Sequence, residues 1–287
     1  MSPLESSGLY RGRLAPSPTG WLHLGHAATF LTAFERARRH HGALILRVDD
    51  LDRERSKDLF TEAAIEDLKW LGINWQEGPD VGGSRAPYAQ SARLSVYAEA
   101  FETLRSLGWI YPCSCSRREV ARALSAPHGV DDEPVYPGTC RPPERRVFEI
   151  PRAGINWRFR IERAEALCFK DQCAGPQSAV AMHQFGDFLV WRKDDLPAYQ
   201  LASAVDDIQM EITEVVRGSD LITSTFRQIL IWRTLGFSLP SFYHCALVRD
   251  ENGRRLAKRD GARSLRSLRE AGLSPVDALN FIHSETR

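Results

Sequence analysis

Ala15-Pro16-Ser17-Pro18-Thr19-Gly20-Trp21-Leu22-His23-Leu24-Gly25-His26 decides the reading of this chain. The preceding segment, Leu9 to Ala15, has strand character, and Pro16 to Gly20 forces a turn. From His26 to His40 the spacing of Leu31, Phe34 and Ala37 predicts a helix. A Gly/Pro-rich turn between a strand and a helix suits a phosphate. Gly20 and Gly25 let the backbone approach the ligand, and the helix start offers N–H groups and a positive dipole end. His23 and His26, three apart, add donors that can meet charge developing on a phosphate.

Outward from this turn the pattern continues as α/β. Ala43 to Val48 is a short apolar strand that ends in Asp49-Asp50-Leu51-Asp52. Ser56 to Leu71 and Ala92 to Leu107 read as amphipathic helices, closed by Gly72 and Gly108. Strand, turn, helix, strand, helix is the beginning of a parallel sheet. Between Cys113 and Ile161 six prolines (127, 134, 137, 142, 143 and 151) prevent long elements. Regular structure is expected to resume at Phe185 to Trp191, with Ala198 to Asp206 a helix or a strand. Thr225 to Leu235, Leu265 to Ala271 and Pro275 to Ile282 read as helices.

The chain has 287 residues, 43% of them hydrophobic, enough for one sizeable core with a small insert. The expected divisions are a first half of the main α/β domain at 1–110, an insert at 111–160, a second half at 161–245, and a loop with terminal helices at 246–287. Lys+Arg number 38 and Asp+Glu 37, a net charge of +1, so any nucleic-acid surface must be local. The basic stretch from Arg249 to Arg269 is one such place. No apolar run approaches the roughly 20 residues of a membrane span, and Met1 to Gly8 lacks a leader pattern. A cytoplasmic protein with no membrane association is expected, and no stable protein partner is evident.

Six cysteines are present, and Cys113, Cys115 and Cys140 crowd together. In a cytosolic chain such clustering favours a metal over disulfides. Three thiolates leave one position of a tetrahedral zinc site open. On donor chemistry alone His128 is the choice for it. Further along, Arg254-Arg255-Leu256-Ala257-Lys258-Arg259, flanked by Gly253 and Gly261, can present Lys258 to a triphosphate and neutralise leaving pyrophosphate.

The Pro-Ser-Pro-Thr-Gly-Trp-Leu-His-Leu-Gly-His and Arg-Leu-Ala-Lys-Arg strings resemble the two signature motifs of class I aminoacyl-tRNA synthetases. Together with Leu46 to Asp52 and Val216-Arg217-Gly218-Ser219-Asp220 they resemble the glutamate-specific branch. A catalytic domain with a cysteine-rich insert and no anticodon-reading domain is similar to the glutamyl-Q tRNA(Asp) synthetases, which attach glutamate to the queuosine base of tRNA(Asp). The resemblance implies a Rossmann-like catalytic domain with a small zinc-binding insert, and a ligase that uses ATP, Mg²⁺ and L-glutamate. A shortened glutamyl-tRNA synthetase charging the tRNA 3′ end, a silent RNA-binding paralogue and a small-molecule nucleotidylyltransferase are the competing expectations.

The resemblance also implies roles. His23, Gly25, His26 and Lys258 would handle ATP. Glutamate carries two carboxylates and an ammonium, so its site needs two cations, an anion and a hydroxyl. Arg13, Arg217, Asp49 and Tyr199 supply them, and Ala15 and Ser17 complete the wall. The family pattern Cys-x-Cys…Tyr-x3-Cys places Tyr136, rather than His128, as the fourth zinc ligand. Two departures stand out: Asp49 replaces the family's usual Glu, and Arg255 and Ala257 differ from its basic loop.

Overall fold

The apolar tetrapeptide Ala43-Leu44-Ile45-Leu46 forms strand β2 (Ala43–Leu46), which pairs in parallel with β1 (Arg11–Leu14). Leu44, Ile45 and Leu46 are all at most 1% exposed, as a strand covered on both faces requires. The computed structural model of the chain describes residues 9–116, 119, 135–247 and 264–285. Between the two strands runs α1 (Leu24–Arg39), which buries Leu24, Ala27, Phe30 and Leu31 at helical spacing and carries Arg36, Arg38 and Arg39 at its negative dipole end. Helix α2 (Asp58–Trp70) adds Ala64 and Leu68 to the same core. Gly72 follows it with φ +80°, the left-handed conformation that ends a helix without steric cost.

A second parallel pair is β8 (Glu214–Gly218) and β9 (Ser241–Cys245). β1 lies beside β8, with the Thr213 N–H donating to the Arg11 carbonyl at 2.9 Å. Arg36 of α1 grips Glu214 at 2.5 and 2.6 Å and fixes the helix against β8. Strands β5 (Ala166–Asp171) and β6 (Gly175–Val180) form a hairpin that joins this sheet through Asp171 opposite Phe242.

A separate antiparallel sheet contains β3 (Ile110–Cys113), β4 (Asn156–Phe159) and β7 (Phe188–Trp191). Its core packs Trp157, Phe159 and Trp191 against Tyr97, Phe101 and Leu104 of α3 (Leu94–Ser106) and against α4 (Tyr199–Gln209). The chain ends in α5 (Ile222–Thr234), α6 (Leu265–Glu270) and α7 (Pro275–Glu285). Among the described residues no helix is long and apolar enough to cross a membrane.

The α/β class and the helices match the sequence reading. Ala198 to Asp206, open between helix and strand, is helical. The β5–β6 hairpin was not anticipated, because β6 is Gly-Pro-Gln-Ser-Ala-Val with mostly exposed positions and lacks β-branched alternation. β4 lies inside the proline-rich stretch, where its four residues are too few to show a period.

Candidate active site

The cleft opens at the carboxyl ends of β1, β2, β8 and β9, where ligands of open α/β sheets sit. It has a volume of about 560 Å³. Ala15 and Ser17 line it from the turn after β1, and Asp49 from the chain after β2. His23, Gly25 and His26 line it from the start of α1, and Arg13, Arg217 and Tyr199 complete it. Nine of the ten residues anticipated for ATP and glutamate thus surround one space. The tenth, Lys258, lies outside the described residues, as does the rest of Arg254 to Arg259. Ser264, which follows that segment, pairs with His23 in an isolated bridge beside the cleft.

The helix start differs from expectation. α1 begins at Leu24, and His23 is its N-cap, with Nδ1 accepting the Gly25 N–H at 3.1 Å. That N–H is therefore already satisfied by the histidine. The rings of His23 and His26 stack with centroids 3.7 Å apart.

The charged groups are unequal. Arg13 donates to the Val216 carbonyl at 2.6 Å and to Asp207 at 3.3 Å. Asp49 is gripped by Arg47 at 2.7 Å. Burial pushes the Asp49 carboxyl up to about 6; Arg47 opposes that push, while Asp206 and Asp207 reinforce it. Arg217 is 4% exposed, and its hydrogen bonds go to Tyr199 Oη at 3.3 Å, Thr225 Oγ1 at 2.6 Å and His244 Nε2 at 3.3 Å. None of these carries a formal negative charge. Among the described residues no carboxylate comes within ion-pair distance of Arg217. Burial lowers its pKa accordingly. A buried cation without a counter-ion is costly, and an anionic ligand removes the cost.

The sequence model of the family "tRNA synthetases class I (E and Q), catalytic domain" matches residues 10–285. The chain belongs to this family. It is a class I aminoacyl-tRNA synthetase-like ligase by fold and sequence. It is 49% identical to the glutamyl-Q tRNA(Asp) synthetase of Symbiobacterium thermophilum, over 94% of this chain and 84% of that protein. It is 42% identical to glutamate–tRNA ligase 2 of Nitrosococcus oceani, over 94% of this chain but 58% of that protein. The crystal structure of a glutamate–tRNA synthetase from Elizabethkingia anophelis superposes with a TM-score of 0.81 at 27% identity, covering 96% of this chain and 61% of that one.

This synthetase-family chain carries a second constellation away from the cleft. The sulfurs of Cys113, Cys115 and Cys140 lie within 4.8 Å of one another. Tyr136 Oη stands 3.4 Å from the Cys113 sulfur and 3.6 Å from that of Cys115, and accepts the Cys140 N–H at 2.8 Å. Three convergent sulfurs and a phenol oxygen fit a tetrahedral zinc ion. Arg158 of β4 lies 3.2 Å from the Cys113 sulfur and covers the Tyr136 ring at 3.8 Å, a cation suited to an anionic ligand set. His128 lies outside the described residues.

Arg47, Asp206 and Asp207, to which the sequence assigned no specific role, form a polar frame under the cleft. Arg47 is fully buried and holds Asp49 and Asp207 at 2.7 Å each. Burial would lower its pKa, but Asp49, Asp207 and Asp206 together keep it well above the ordinary arginine value. Asp206 accepts from Arg93, Tyr97 and Gln90 at 2.7 to 2.9 Å. The visible signal was a single arginine inside the apolar run Leu44 to Val48.

Proposed function

We propose that the chain activates L-glutamate with ATP and transfers it to the queuosine base of tRNA(Asp). The observation that carries this reading is Arg217, a buried guanidinium with no carboxylate in ion-pair reach among the described residues, in a cleft that also holds Arg13 and Asp49. A ligand with two carboxylates and an ammonium matches that set of charges. The relatives named glutamyl-Q tRNA(Asp) synthetase, at 49% and 41% identity over most of this chain, support the choice of acceptor.

In the first step an α-carboxylate oxygen of glutamate attacks the α-phosphorus of ATP. A new C–O–P bond forms and the bond to the β-phosphate oxygen breaks, giving glutamyl-adenylate and pyrophosphate. In the second a hydroxyl of the modified base attacks the acyl carbon, loses its proton and releases AMP. No side chain serves as a covalent nucleophile. Arg13 and Arg217 hold the carboxylates, Asp49 takes the ammonium and Tyr199 offers its hydroxyl; Ala15 and Ser17 shape the wall. His23, His26 and Lys258 serve the phosphates as donors, where a well-placed donor gives roughly 100- to 1,000-fold in rate, and Gly25 lets the backbone come close to them. Mg²⁺ accompanies ATP and supplies charge neutralisation on its phosphates. Cys113, Cys115, Tyr136 and Cys140 would hold a structural zinc that orders the proline-rich insert. The insert and the basic stretch from Arg254 to Arg269 are assigned to the RNA.

The test is incubation with ATP, labelled glutamate and either queuosine-containing or queuosine-free tRNA. Label retained only on the first is expected. Label esterified to the 3′-terminal ribose would replace this reading with 3′-end charging. Background-level pyrophosphate exchange with ATP and glutamate would leave a silent RNA-binding protein.

A further inference from the structure

Behind Arg217 lies a fully buried chain of side chains that the reaction itself does not use. Asp171 Oδ2 stands 2.6 Å from His244 Nδ1. Asp171 is pinned in turn by the backbone N–H groups of Cys173 at 2.9 Å, Ala174 at 2.7 Å and His244 at 3.1 Å. The other ring nitrogen, His244 Nε2, lies 2.8 Å from Thr225 Oγ1 and 3.3 Å from Arg217 Nε. Thr225 Oγ1 accepts from Arg217 Nη2 at 2.6 Å.

We propose that His244 is a positioning residue for Arg217: Asp171 fixes its neutral Nδ1–H tautomer, and Nε2 then orients the guanidinium as an uncharged acceptor. The inference rests on reading the cleft as a glutamate site. The donor count requires this tautomer. An ionised carboxylate only accepts, so the proton at 2.6 Å belongs to Nδ1. The single lone pair of Nε2 is then shared by the Thr225 hydroxyl and the Arg217 Nε–H, the Thr225 hydroxyl also lies 3.2 Å from the Leu221 carbonyl, and the Thr225 oxygen accepts from Arg217. The Nδ1–H, the Thr225 hydroxyl and the two Arg217 N–H groups that face this chain each have an acceptor. The opposite tautomer would set an Nε2–H against the Arg217 N–H and a bare lone pair against Asp171. Burial and the charge on Arg217 hold the ring pKa down to about 4, so the imidazole stays neutral in use.

The choice of histidine has a consequence for selectivity. A carboxylate at position 244 would orient the arginine equally well but would cancel its charge. A neutral ring orients it and leaves the charge for the substrate, with Asp171 one imidazole further back. An uncancelled guanidinium favours a carboxylate over the isosteric amide. His244 and Asp171 therefore bear on the choice of glutamate over glutamine.

The experiment uses the full chain with ¹⁵N-labelled histidine. His244, assigned by its disappearance in His244→Gln, is expected to show a protonated Nδ1 and a bare Nε2 at neutral pH. Asp171→Asn can donate to Nδ1 and move the proton to Nε2. Pyrophosphate exchange should then show glutamate KM raised roughly 10-fold or more. ATP KM should stay unchanged, and the preference for glutamate over glutamine should fall by a similar factor. His244→Gln, whose Oε1 restores the acceptor, should return glutamate KM to within about 3-fold of the parent. If Asp171→Asn does not fold, Thr225→Val removes the other acceptor and should move glutamate KM the same way. A protonated Nε2 in the parent protein, or an unchanged preference in a folded variant, overturns the inference. If Arg217→Gln leaves glutamate KM unchanged while His244 shows the stated tautomer, it is the glutamate reading of the cleft that fails.

Discussion

Arg47 and Asp207 meet at 2.7 Å beneath the cleft, where Arg47 is wholly buried and the Asp207 side chain is 3% exposed. Arg47 is also the partner of Asp49, so one guanidinium orders both carboxylates. Removing it leaves buried anions short of a counter-charge. Arg47→Met is expected to destabilise the protein by about 3–5 kcal/mol. Urea unfolding checks this, and a loss below about 1 kcal/mol would show that the frame is not held by this residue.

With Asp49 as the proposed holder of the substrate ammonium, glutamate binding is expected to depend on pH. Its carboxyl sits at about 6, raised chiefly by burial, and only the ionised form can hold an ammonium. Glutamate KM should therefore rise as pH falls through about 6, with ATP KM changing less. In the variant Asp49→Asn the KM should be high and flat over the same range. A parent profile that stays flat from about 1.5 pH units above that value to about half a unit below it would remove Asp49 from the ammonium site.

Arg217 sets stability against function. Its burial, with no carboxylate in reach among the described residues, predicts that Arg217→Met is neutral or stabilising by about 1 kcal/mol in the absence of ligand. Glutamate is expected to raise the Tm of the parent and to leave that of this variant unchanged. Thermal scans with and without glutamate decide it; a destabilised variant that still responds to glutamate contradicts the assignment.

His244 makes stability fall on the acid side. Its folded pKa of about 4 lies below the ordinary 6.5, held down by burial and Arg217, with Arg13 adding and Asp171 opposing. Below 6.5 the unfolded chain takes up a proton that the folded one refuses. The contribution is present above pH 6.5 and lost as pH falls towards 4, on the order of 2–3 kcal/mol. Asp49, with a raised pKa, acts in the opposite direction below about 6. His244→Gln should flatten the slope that remains when the parent is followed by urea unfolding from neutral pH down towards that folded pKa. An unchanged slope in the variant would show that this imidazole does not set it.

The sulfur cluster predicts one zinc per chain by elemental analysis, lost in Cys140→Ser. Tyr136→Phe should weaken retention against a chelator roughly 10-fold or more. If Tyr136→Phe keeps its metal and His128→Ala loses it, the fourth ligand is His128.

Much of the site was legible because its residues lie in short strings where turn chemistry is explicit. Pro16 to Gly25 announces a strand-to-helix turn, and the strand ends at Asp49 and Arg217 follow apolar runs. What escaped were groups brought together by topology. Asp171 closes one strand of a weakly patterned hairpin, and His244 sits in Ser-Phe-Tyr-His-Cys, whose burial alternates without an alternating hydrophobic pattern. Their meeting depends on the parallel pairing of β8 with β9 and of β5 with β9, which no local spacing reveals. His23 as a helix cap was missed because capping is usually sought in serine, threonine, asparagine or aspartate.

The guanidinium at position 217, with no carboxylate in reach among the described residues, also bears on what an empty cleft would attract. A small inorganic anion such as chloride would settle there, and salt would then compete with an acidic substrate at that end of the cleft as well as screening it.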